Sequence, residues 1–101
     1  MADTLKRLYT GTCPNTETTA YTAPASTKTV LREAVACNKT ASAATFTLKV
    51  GGMTIIPAKS IPAGDTLFLE LFTVLETTET IQITAGTASA IDVRLSGMEV
   101  S

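Results

Sequence analysis

The chain has no histidine, no tryptophan, only two cysteines in 101 residues, and no apolar run that approaches a membrane span. Each absence removes a class of function. Without histidine, the commonest general base and metal ligand is missing, and neither a Ser-His nor a Cys-His nucleophile can be assembled. Without tryptophan, the cysteine and tryptophan marks of a true immunoglobulin domain are absent. Cys13 and Cys37 are too few for the disulfide framework of a small secreted domain and make a poor zinc site, so they read as two free thiols. Cys37 closes the apolar run Ala34-Val35-Ala36-Cys37 and is expected to behave as a small buried hydrophobe. Cys13, beside Pro14 in a polar loop, is expected to be the more exposed thiol.

The longest apolar runs, such as Ala34 to Cys37 and Leu67 to Leu69, fall far below the ~20 residues that cross a bilayer. The opening Met-Ala-Asp-Thr-Leu-Lys-Arg lacks the apolar stretch and cleavage site of a signal peptide, so the chain is expected to act without export. On that expectation the glycosylation match Asn38-Lys39-Thr40 carries no weight. Net charge is −1, with lysines and arginines scattered along the chain in no basic stripe. Counterion-release binding to nucleic acid has little to act on. No nucleic-acid, membrane or small-molecule partner and no cofactor or metal is therefore expected. The densest carboxylates are Asp65, Glu70, Glu76 and Glu79. Glu70 lies on the solvent phase of its segment and Glu76-Thr77-Thr78-Glu79 reads as a polar turn, so these are solvated charges and no catalytic residue is assigned.

What the sequence does contain is β-forming. It is 45% hydrophobic and 17% charged, with a mean hydropathy of +0.25, which excludes a disordered chain. Its apolar surplus predicts contact with other subunits. Threonine makes up about a fifth of the residues and suits a half-exposed pleated surface. Period-two alternation is clearest in Ala44-Thr45-Phe46-Thr47-Leu48-Lys49-Val50. Gly51-Gly52 then turns the chain and Met53-Thr54-Ile55-Ile56 returns as a hairpin partner. Ile61-Pro62-Ala63-Gly64-Asp65 is a reversal, followed by a strand from Thr66 to Phe72 and another from Thr80 to Ala85. In the last run, Ala90 to Val100, the apolar phase changes from odd to even numbers at Gly97, which predicts a β-bulge there. Leu5 to Thr10 and Ala20 to Thr22 read as strands around a polar loop from Gly11 to Thr19. Thr29 to Cys37 reads as a strand in which adjacent Arg32 and Glu33 mark a bulge or an edge.

About eight short strands with turn residues between them predict one small antiparallel β-sandwich over residues 1–101, jelly-roll-like or immunoglobulin-like in its connections. Two pairs of aromatic residues are candidate interface residues. Phe68 and Phe72 share the face of Glu70, opposite Leu67, Leu69 and Leu71, so they are either covered by another segment or exposed for contact. Tyr9 and Tyr21, at strand ends, either anchor a partner or are half-buried structural residues.

Taken in order, Leu5-Lys6-Arg7-Leu8-Tyr9, Tyr21-Thr22-Ala23-Pro24, Ala36-Cys37-Asn38, Ile61-Pro62-Ala63-Gly64-Asp65 and Leu95-Ser96-Gly97-Met98-Glu99-Val100 resemble a group of small tailed-bacteriophage structural proteins. The resemblance spans nearly the whole chain. Cys13 and Cys37 depart from it, standing where polar and small residues are expected. It implies a non-enzymatic virion subunit, assembled in the host cytoplasm and present in many symmetric copies. Its partners would be itself, as a homo-oligomer, and other virion proteins such as the major capsid or tail proteins. The first expectation is an accessory subunit on the outside of the particle, a capsid decoration or cement protein. The alternatives are a tail, collar or baseplate attachment, or a receptor- or glycan-binding module using the loops Gly11 to Thr19 and Glu76 to Glu79.

Overall fold

The alternation read in the sequence is realised strand by strand. Ala44, Phe46, Leu48 and Val50 are all buried, while Thr45, Thr47 and Lys49 between them are half-exposed. The computed structural model describes residues 3–100; Met1, Ala2 and Ser101, which belong to the terminal segments read above, lie outside it. Its elements are β1 (Asp3–Thr12), β2 (Thr18–Thr22), β3 (Lys28–Asn38), β4 (Ala44–Val50), β5 (Met53–Ile61), β6 (Thr66–Leu75), β7 (Thr80–Ala85) and β8 (Ile91–Val100). No helix occurs among the described residues.

The turns form where the sequence places them. Gly51 and Gly52 both take positive φ, 57° and 83°, the conformation a two-residue hairpin loop of the I′ type requires, and Val50 pairs with Met53 across it. Asp65 N–H donates to Pro62 O at 3.1 Å, with Gly64 at φ 70°. At the Glu76–Glu79 turn, Glu79 N–H donates to Glu76 O at 3.0 Å while Glu79 Oε1 accepts from the Glu76 N–H at 2.8 Å.

All pairings are antiparallel, in two four-stranded sheets of order β1-β8-β3-β6 and β2-β7-β4-β5. In each sheet strands of the chain's first half alternate with strands of its second half, the order of two nested Greek keys, so the sandwich is a jelly roll. Between the sheets lies an aliphatic core that includes Leu31, Leu48, Leu75, Ile81, Ile83, Ile91 and Leu95, with Phe46 as its fully buried aromatic ring. Alanines at 34, 36, 44, 85 and 90 let the two layers close tightly around these larger side chains.

The bulge expected at Gly97 is displaced. β8 runs through Ser96 and Gly97 without an extra residue, and its neighbours carry the irregularity. β1 inserts Leu8 between Arg7, opposite Ser96, and Tyr9, opposite Leu95. β3 inserts Arg32 between Leu31, opposite Gly97, and Glu33, opposite Ser96. Against that same step of β3, β6 sets both Leu71 and Phe72. The bulge that Arg32 and Glu33 suggested is thus real and sits in a central strand. Because β8 keeps its phase, Gly97 and Glu99 point inward with Leu95, while Met98 joins the outer face. The apolar phase changes because the two sides of the sheet exchange character here, as the site geometry below makes clear.

Gly97 is required at the inner side of this step. A Cβ there would lie 2.0 Å from the Val30 carbonyl oxygen and 3.1 Å from Leu8 Cδ1. The Gly97→Ala variant is therefore expected to lose about 2–3 kcal/mol of stability through overpacking against backbone. Gly52→Ala, which meets nothing within 4 Å, should show only the smaller penalty of its positive φ. Urea denaturation of the two variants checks the order.

Candidate interaction surface

The outer faces of the two sheets differ in chemistry. On the β2-β7-β4-β5 sheet the outward positions are mainly threonines, with Thr47 and Thr84 opposed and Thr22 opposite Thr80. On the β1-β8-β3-β6 sheet a row of apolar side chains crosses all four strands, with Leu5 opposite Met98, Met98 opposite Val30, and Val30 opposite Val74. Val30 is buried although it faces outward, because apolar neighbours flank it on both sides. The next outward row is polar, Arg7, Ser96, Glu33 and Glu70, and the one after it sets Thr10, Arg94, Val35 and Phe68 side by side.

β6 is the edge of this sheet, and the two phenylalanines singled out in the sequence are exposed on it. Phe68 is 57% and Phe72 68% exposed, with Val74 at 44% on the same face. Among the described residues no segment covers them. Arg32, the inserted residue of β3, lies 5.4 Å from the centre of the Phe72 ring, within cation–π range. Leu67, Leu69 and Leu71 on the other side of β6 pack against the core.

The two tyrosines sit differently from the phenylalanines. Both are half-buried against the core. Tyr21, on β2, reaches across the sandwich to β3 and β8, where its hydroxyl donates to Glu99 Oε2 and accepts from Thr29 Oγ1 at 2.8 Å. Lys6 Nζ completes the cluster 3.3 Å from Glu99. The inner side of this end is therefore a polar plug, which is why Glu99 turns inward and Met98 outward. Burial, followed by the bond to Glu99, pushes the Tyr21 phenol up to about 12. The phenol's donated hydrogen bond, with Lys6 adding to it, holds Glu99 below the ordinary carboxylate value of 4.5 despite partial desolvation.

The thiols exchange the places expected of them. Cys13 is fully buried and Cys37 half-exposed, and both are free. After β1 the chain folds over the end of the sandwich, where Cys13 N–H donates to Ile91 O at 2.7 Å and Ala85 N–H donates to Pro14 O at 2.9 Å. This carries residue 13 inward, and burial pushes its thiol up to about 11. Cys37 has the outward phase of β3. It lines an open depression of about 450 Å³ with Thr10, Thr12, Val35, Asp92 and Arg94. Asp92 is engaged there by Lys39 Nζ at 3.0 Å and Thr12 Oγ1 at 2.8 Å, which hold its carboxyl below the usual range.

Asn38 is a structural residue that sequence reading missed. It is fully buried, and its amide donates to Ser42 O at 2.8 Å and Ile61 O at 2.9 Å. Its Oδ1 accepts from the Thr40 N–H at 2.9 Å and from Thr40 Oγ1 at 2.7 Å. Every hydrogen-bonding position of the side chain is used, so the Asn-Lys-Thr triplet is a loop clamp whose amide is closed to modification. The readable signal was the Asx turn that Asn-x-Thr favours after a strand.

The loops after β1 and after β6 lie at opposite ends of a molecule 46 Å long. The first joins the end built from Asn38, Asp65 and Ala90; the second bonds Ala23 through Glu79 O and Thr78 N–H. They do not converge on one binding site. Among the described residues, no group of three or more His, Cys, Asp or Glu side chains is placed to hold a metal, and no helix is long and apolar enough to cross a membrane. No protein-family model and no curated protein matches the chain.

Two outcomes follow. In the native protein a maleimide should label Cys37 and leave Cys13 unreacted, with both labelled after unfolding; mass spectrometry of the labelled peptides reads the difference. Tyr21→Phe should cost about 1–2 kcal/mol near neutral pH. With its folded pKa depressed, Glu99 stabilises the fold above 4.5 and loses that effect as pH falls through the lowered value. With its folded pKa raised, Tyr21 stabilises fully below 10 and loses that effect as pH rises from 10 toward about 12. Denaturation midpoints across pH should show both slopes in the native chain and both reduced in the variant.

Proposed function

We propose that this chain is a non-enzymatic structural subunit of a tailed-bacteriophage particle, an accessory on the outside of the virion that acts as capsid decoration or cement. The observation that carries the reading is the outer face of the β1-β8-β3-β6 sheet, where Leu5, Phe68, Phe72 and Val74 stand exposed together. Exposed apolar surface gathered on one face marks contact with another protein. The ordered resemblance along the chain supports a virion setting. The jelly-roll order is compatible with it, although the same architecture serves capsid proteins, lectins and cupins alike and does not single out one role. The side-chain chemistry supports a binding rather than a catalytic role. Without histidine, and with Asp92 tied to Lys39 and Thr12, the depression beside Cys37 presents no poised acid–base pair.

Attachment at a tail, collar or baseplate would use the same exposed face, and copy number separates the two positions. Quantitative mass spectrometry of purified particles should give this chain in a fixed ratio to the major capsid protein that matches sites of the capsid lattice. A far smaller number set by the tail's symmetry would overturn decoration in favour of attachment. Abundant chain in infected cells with none in purified particles would overturn both.

A further inference from the structure

We infer that two copies of this chain pair edge to edge through β6, antiparallel about a twofold axis at Leu71, so that two four-stranded sheets become one of eight; the inference rests on the reading of the chain as an oligomeric structural subunit.

The sandwich has four edge strands, β1, β6, β2 and β5, and three of them are blunted. β5 contains Pro57, shifts register on both sides of Leu48, and has the N–H of Ala58 taken by Thr47 Oγ1 at 3.1 Å. β2 is only five residues long and carries its own shift. β1 carries Lys6 and Arg7 beside the bulge at Leu8. These are the devices by which sheets discourage pairing at an edge. β6 has no proline, glycine or lysine, and its one irregularity, the extra residue it sets at Leu71–Phe72 against Arg32, lies in its pairing with β3. It runs for ten residues, TLFLELFTVL, with unbroken alternation up to Leu75. Its outer groups include three of the six large exposed hydrophobics among the described residues.

Charge selects the occupant and the register. Glu33 and Glu70 are directly opposed across β3 and β6 on the outer face, a repulsive arrangement. Among the described residues, neither carboxylate forms an ion pair, nor does Arg32. With the twofold at Leu71, Glu70 of each copy lies opposite Phe72 of the other, where the Arg32 guanidinium already rests on the ring. Each copy then supplies the cation the other's glutamate pair lacks, twice by symmetry. Phe68 of each copy faces Val74 of the other, and Leu71 meets its own equivalent on the inner side. Moving the axis to Glu70 would set the two Glu70 side chains against each other, and moving it to Phe72 would put Glu70 opposite Val74. The pattern is self-complementary, which a second copy satisfies and an unrelated strand would have to reproduce.

Sedimentation equilibrium on the full chain should give twice the 10.5 kDa chain mass. Arg32→Glu alone and Glu70→Arg alone each place like charges at both crossed contacts and should weaken the dimer by about tenfold or more. Mixing the two variants in equal amounts should restore a dimer containing one of each, because both crossed contacts then become Glu–Arg. An intramolecular role for these charges would give no such rescue on mixing. Both positions are exposed, and circular dichroism verifies that each variant keeps its sheet content. Without any substitution, the amides of residues 66–75 should gain hydrogen-exchange protection as concentration rises. A 10.5 kDa monomer at high concentration, protection independent of concentration, or a mixture that stays monomeric overturns the pairing. A chain found in particles but monomeric in solution overturns the pairing and leaves the virion role standing; a dimer missing from particles does the reverse.

Discussion

One strand has to keep step with two neighbours that each set one extra residue against it. On either side of Ser96, β8 contributes no extra residue, while β1 inserts Leu8 against the step from Leu95 to Ser96, β3 inserts Arg32 against the step from Ser96 to Gly97, and β6 sets two residues against Arg32. A sheet built this way must coil at that level, since bulges bend the strand that carries them and raise its twist. The inner side of the bend has no room, and glycine at position 97 is how the chain meets that constraint. Much else follows from it. Leu8 is delivered to the core from a strand whose neighbours Arg7 and Lys6 are exposed, Arg32 is thrown out over the Phe72 ring, and β8 retains the phase that turns Glu99 toward Tyr21.

Two polar clusters then close the ends that an aliphatic core cannot. At one end Tyr21, Thr29, Glu99 and Lys6 link the first sheet to the second, and at the other Asn38 links β3, the β3–β4 loop and β5. Thr29 and Asn38 are fully buried, Tyr21 and Glu99 half-buried, with Lys6 at the exposed rim, and each of the buried groups has its hydrogen-bond partners. A buried polar group with its partners in place fixes one arrangement of the chain, because any slip in register would leave it unsatisfied in a medium of low dielectric. The core supplies the driving force through area removed from water, and these clusters specify which sandwich forms.

The strands were legible wherever one side chain in two was apolar, as in Ala44–Val50 and Thr80–Ala85, because a half-buried strand writes its own burial into the sequence. The exposed pair Phe68 and Phe72 was legible as a pair sharing a face, but which face was covered depends on β6 being an edge, and edge position is a property of topology. The register near Gly97 was misread for a related reason. A change of apolar phase along one strand looks the same whether the strand bulges or whether the two sides of the sheet exchange character, and here the inward side becomes polar. Cys13 was misplaced because the polar segment from Gly11 to Thr19 was expected to face solvent throughout, whereas Cys13 is drawn inward where its N–H donates to Ile91 O at the start of β8. The structural role of Asn38 was missed because it lies in contacts with Ser42 and Ile61, the latter far along the chain.

The two outer faces make the molecule directional. On one side Thr45, Thr47, Thr80 and Thr84 offer hydroxyls with few charges among them, and on the other Leu5, Val74, Phe68 and Phe72 offer carbon. Such a body behaves at a boundary as a tile with a glazed side and an adhesive side. Set down the wrong way up, it would press hydrated hydroxyls against its support and leave its aromatic rings in water, losing on both counts. The fold thus encodes a preferred orientation, rings toward an apolar contact and hydroxyls toward water, in the two faces of a single chain.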